Sequence, residues 1–148
     1  MLTIAWFSMI KIYNQRRFEV NMDRFADALG LDVATVVKKL AFDIFRDVVS
    51  GTPVKTGRAM NNWVIAIGTP DRSIIEDGGT GSKAGIVAGK KAEAIGTLAG
   101  LRPWDTVWIS NNLPYIASLE EGTSKQAPNG WVSIAIQNNL RQLARFAL

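Results

Sequence analysis

"LDVATVVKKLAFDIFRDVVSGTPVKTGRAMNNWVIAIG", residues 31–68, changes its hydrophobic period halfway along. In the first half Val33, Val36, Val37, Leu40, Ala41, Ile44, Phe45, Val48 and Val49 recur at helical spacing, with Lys38, Lys39, Asp43, Arg46 and Asp47 on the opposite face. Asp32 is placed to cap this run, and Ser50-Gly51 with Pro53 behind it to stop it, which predicts a helix of about 18 residues. In the second half Trp63, Ile65 and Ile67 alternate with Asn62, Val64 and Ala66, the period of a strand with one apolar face. Between them lies "TPVKTGRAMNNW", Thr52 to Trp63, dense in turn chemistry and carrying a cation and a tryptophan. It is either an active-site loop or a rigid corner.

Working outward, "WDTVWISN" reads as a second strand, with Trp104, Thr106, Trp108 and Ser110 on one face and Val107 and Ile109 on the other. "PYIASLEEG" reads as a short helix opened by Pro114 and closed at Gly122. "APNGWVSIAIQNNLRQLARF" reads as a last helix with Asn129 near its N-cap and a stripe of Val132, Ile136, Leu140 and Leu143. Residues 78–100 are rich in Gly, Ala, Ser and Lys, and are expected to form a mobile loop and a weak helix interrupted by Gly96. The resulting class is α+β: a long helix and a C-terminal helix packed on a small, mainly antiparallel sheet. Residues 1–21 form an N-terminal arm or extension, and residues 22–148 a single domain.

The 148 residues and their 47% hydrophobic content suit one globular core. There is no cysteine and no histidine, which removes disulfides, thiolate nucleophiles and the commonest metal ligand and general base. No cofactor and no metal are expected. The net charge of +4 is spread along the chain, less than a dedicated nucleic-acid binder would gather in one stripe. "MLTIAWFSMI" is too short to span a bilayer, and its basic residues follow the apolar run. Its apolar side chains, Trp6 and Phe7 among them, mark a partner site, and the arm is expected on another subunit or virion protein, as an added strand on an exposed sheet edge.

No catalytic pattern emerges. "GIVAGKK" has three residues between its glycines and Lys91 where a phosphate loop needs a hydroxyl. Glu120 and Glu121 are adjacent, so they do not share a helix face and read as solvated; Glu76 and Asp77 read the same way. Trp63, Trp104, Trp108 and Trp131 occupy positions where core anchors are expected, while Trp6 suits an interface. No enzyme activity is expected.

Two separated segments together resemble one family. "TPVKTGRAMNNW" and "ISNNLPYIASLEEGTSKQAPNGWV" are similar to the paired signatures of the neck, or tail-completion, proteins of long-tailed bacteriophages, related to the minor tail protein Z type. The likeness runs roughly from Asp23 to Phe146. It favours the rigid-corner reading, in which Pro53, Thr56, Gly57, Arg58 and Trp63 build the first junction. Tyr115, Glu120, Glu121, Gly122, Pro128 and Gly130 build the second, and Arg58 is expected to reach carboxylates or carbonyls, with Glu120 or Glu121 across the sheet as the candidates. The resemblance implies a structural virion protein, with copies forming a hexameric or dodecameric ring at the head–tail joint. Its partners would be the connector or portal and the tail-terminator or tail-tube proteins, with genome DNA passing through and no membrane involved. The alternatives are a tail-terminator or minor tail subunit, and a small nucleic-acid-binding module suggested by the pI near 9.6.

Overall fold

The computed structural model describes residues 2–5, 26–28, 30–76, 81–103, 105–123 and 130–146. Helix α1, Val33–Gly51, forms because nine apolar residues share one buried face and its first turn is capped. The Asp32 carboxylate accepts hydrogen bonds from the Thr35 amide at 2.9 Å and the Thr35 hydroxyl at 2.8 Å. These bonds, the amide's first, hold the Asp32 carboxyl below its ordinary pKa. At the other end Thr52 is extended, φ −66° and ψ 130°, as a residue preceding proline must be.

One turn of helix, α2 (Arg58–Asn61), leads into β2 (Trp63–Ile67). Then follow α3 (Lys83–Leu98), β3 (Val107–Asn111), the short α4 (Ile116–Ser118) with a turn at Leu119–Thr123, and α5 (Trp131–Phe146). Strands β2 and β3 pair antiparallel, with Trp63 opposite Asn111 and Ile67 opposite Val107. An N-terminal strand β1, Leu2–Ala5, joins the far edge of β3 in parallel, so the order is β1-β3-β2. Helix α1 packs between α3 and α5, and α3 also lies along β2. Phe45, Ile44, Trp63, Met60, Ile109 and Val132 are the large side chains fully enclosed where these elements meet. The fold is α+β, as the periodicities indicate.

Two expectations need correction. Residues 83–98, read as loop and weak helix, are one 16-residue helix that runs through Gly85, Gly89 and Gly96. Ser82 caps it by accepting from the Gly85 amide at 3.1 Å, and Ile86, Lys90, Ala94 and Leu98 form a buried stripe four residues apart. Trp108 is not a core anchor. It faces away from Val107 and Ile109, is only partly buried, and its indole N–H donates to the Gly68 carbonyl at 2.9 Å. The arm, expected on another subunit or virion protein, places Leu2–Ala5 on its own chain's β3 in the single subunit.

Candidate functional site

The first corner is held by hydrogen bonds that converge on one carbonyl. Thr52 Oγ1 donates to the Val48 carbonyl at 2.8 Å and accepts from the Trp63 indole N–H at 2.8 Å. The Trp131 indole N–H donates to the same Val48 carbonyl at 3.1 Å. The last turn of α1, the start of β2 and the start of α5 are thereby tied at one point. All three polar groups are buried and all three are satisfied, the condition under which such a network rigidifies a core. Pro53 is buried behind Thr52, and Gly57 turns the chain at φ 86°, a conformation that favours glycine. The Thr56 hydroxyl accepts from the Arg58 amide at 3.3 Å.

Two asparagines complete the corner. Asn62, 1% exposed, donates to the carbonyls of Arg58 (2.9 Å) and Ile75 (3.0 Å) and accepts from the Ile75 amide at 2.8 Å. Its amide thus pairs with the 71–76 segment as a neighbouring strand would. Asn111 donates to the Ala59 carbonyl at 2.9 Å and accepts from the Leu113 amide at 3.2 Å. Its neighbours Ser110 and Asn112 both donate to the Asp71 carbonyl, at 3.1 and 2.9 Å.

Arg58 does not reach Glu120 or Glu121. Its Nη2 contacts Glu76 Oε2 at 2.8 Å, while its buried Nε has no partner. Glu76, read as solvated, is therefore an ion-pair partner, although it stays 76% exposed. Glu120 is the larger departure. Its carboxylate turns onto the first turn of α5, accepting from the amides of Val132 (3.1 Å) and Ser133 (3.3 Å) and from the Ser133 hydroxyl (3.4 Å). Its backbone carbonyl accepts from the Gly130 amide at 2.8 Å. Burial pushes the Glu120 carboxyl pKa up, and the accepted hydrogen bonds oppose it without reversing the direction. Gly122 (φ 99°) and Gly130 (φ 74°) turn the chain on either side, and Glu121 and Tyr115 face solvent. Trp6, Phe7, Trp104, Asp77, Pro128 and Asn129 lie outside the described residues.

A shallow groove of about 390 Å³ runs beside α3, lined by Asn61, Gly81, Gly85, Ile86, Gly89, Lys90 and Glu93. Lys90 is buried along it and paired with Glu93 at 2.9 Å. Among the described residues the lining offers no hydroxyl, thiol or imidazole. Among the described residues no cluster of acidic side chains could hold a metal, and no helix is long and apolar enough to cross a membrane. What the polar groups do is join backbone to backbone across junctions.

Residues 16–122 match the model of the HK97-gp10-like family, described as "Bacteriophage HK97-gp10, putative tail-component". The match spans well over half of the chain. The protein belongs to the HK97-gp10-like family. The family-matched span holds α1, the first corner except Trp131, α3, both antiparallel strands and the second corner as far as Gly122. Helix α5 lies beyond it. Comparison with curated proteins and with solved structures gives no match. Sequence reasoning passed over Thr52, Asn62, Asn111 and Glu76 as site residues. The signal for the asparagines was present: each closes an apolar strand end, where a buried amide must find backbone partners.

Proposed function

We propose that this HK97-gp10-like protein is a structural subunit of the phage neck. Its copies form a ring between the connector and the tail, through which the genome passes. The observation that carries this reading is the family match across the first junction motif and the second as far as Gly122, residues that fold as hydrogen-bonded corners. A joint subunit must hold its shape under load, and the satisfied buried network of Thr52, Trp63 and Trp131 on Val48 supplies that. Negative-stain electron microscopy of the purified protein tests the reading, with closed rings of one diameter as the expected result. Only monomers at every concentration, with no incorporation into virions, would overturn it. A second reading, a tail-terminator or minor tail subunit, is favoured by the family's description as a tail component. Removing the protein from an infection separates the two. A neck subunit leaves full heads and finished tails that fail to join, whereas a tail subunit leaves the tails themselves defective.

A further inference from the structure

Strand β3 is central only because Leu2–Ala5 fills its second edge. That strand is four residues long, pairs in parallel, and precedes the family-matched span that starts at residue 16. Residues 6–25 connect it to the rest of the chain, and 20 residues reach up to roughly 70 Å when extended. A domain of this length has a radius of gyration of only about 15 Å. The chain is therefore long enough to deliver its first strand to an adjoining copy.

From this we infer that Leu2–Ala5 is an exchangeable strand, seated on its own β3 in the free chain and on the β3 edge of the next copy in the assembly. The acceptor is already defined by the register Leu2 to Val107, Thr3 to Trp108, Ile4 to Ile109 and Ala5 to Ser110. A second copy offers the same backbone groups in the same order, so the ladder made in trans equals the one made in cis. Every copy donates one strand and accepts one, a head-to-tail relation that closes into a ring. Before assembly the same strand covers an edge that would otherwise pair indiscriminately. Within a ring the neighbour's strand is held at high effective concentration, which lets it compete with the chain's own strand without any new contact.

The inference rests on the ring reading, and one experiment separates the two. Because the chain has no cysteine, Ala5→Cys and Ser110→Cys create the only thiols, at paired register positions. The two single variants, carrying different tags, are mixed, assembled and oxidised; the double variant is oxidised separately. A covalent dimer containing one chain of each kind, at twice the 16.2 kDa chain mass, is expected in the assembled fraction. The double variant should give a ladder of linked chains from rings and an internally closed chain from monomers. If Ser110→Cys disturbs folding, Thr3→Cys with Trp108→Cys reports the same register, since Trp108 is only partly buried. Rings whose chains close only on themselves overturn strand exchange and leave the ring reading standing. A chain that stays monomeric and crosslinks only internally overturns both.

Discussion

At the scale of single residues the stabilising groups are amides and a carboxylate that satisfy backbone, while the conspicuous arginine does less. Arg58 makes one contact, with a glutamate that is 76% exposed, and such pairs contribute below about 1 kcal/mol. Asn62 completes three buried or half-buried backbone hydrogen bonds. Asn62→Ala strands those groups and should cost about 1–3 kcal/mol, clearly more than Arg58→Ala. Arg58→Lys should be close to neutral, because it also removes the unpartnered Nε. Urea melts of the three variants check the order, and an Arg58→Ala loss equal to that of Asn62→Ala refutes it. Glu120 yields a pH signature. Its folded pKa is raised above the ordinary 4.5, so its stabilising share is complete below 4.5 and is lost as pH rises through the folded value. Across that window, just above 4.5, the native protein should lose stability relative to Glu120→Gln, which cannot ionise. Parallel stability profiles for the two proteins would rule this out. None of these partners was legible in the sequence, where Arg58 and Glu76 are merely a cation and an acid 18 residues apart. Spacing reveals which face a side chain occupies but not what a long loop brings beside it.

Elements were legible where packing and local propensity agree. Helix α1 carries its apolar stripe, its cap and its stop in sequence, and β2 and β3 carry their alternation. Helix α3 was hidden because the two disagree: three glycines weaken it by roughly 1 kcal/mol each relative to alanine, and burial of the 86-90-94-98 stripe overrides them. Its glycines are also not all needed. A Cβ at Gly89 or Gly96 meets nothing within 4 Å, so Gly89→Ala and Gly96→Ala should each stabilise by about 0.5–1 kcal/mol. Gly51 is the opposite case within α1. A Cβ there would lie 2.7 Å from Trp131 Cδ1, on a ring whose N–H is committed to Val48. Gly51→Ala should therefore destabilise by about 1–3 kcal/mol in spite of its gain in helix propensity. Thermal melts of the three alanine variants decide the matter; a uniform sign would mean that the α1–α5 contact is not as close as described.

For the whole molecule, the domain hangs on α1, which is clamped between α3 and α5 and tied to β2 through Thr52 and Trp63. Asp47 adds a second tie, accepting from Asn139 of α5 at 2.8 Å while also paired with Arg46. None of these described ties involves β1, which pairs with β3 at the sheet's edge. The core side chains of β3, Val107 and Ile109, are fully buried in the same cluster as α1 and Trp63. Removing residues 1–15, ahead of the family-matched span, should therefore leave a cooperatively folding domain with a lowered melting temperature. The exposed β3 edge gives that truncated chain a second, more specific property. A synthetic peptide of residues 1–8 should bind it and restore part of the lost melting temperature, in proportion to peptide concentration, because ligands of the native state stabilise by mass action. The same peptide should leave the full-length monomer unchanged, its edge being already filled. A truncated chain that no longer unfolds cooperatively would show instead that β1 is part of the core, and that the sheet needs all three strands to form.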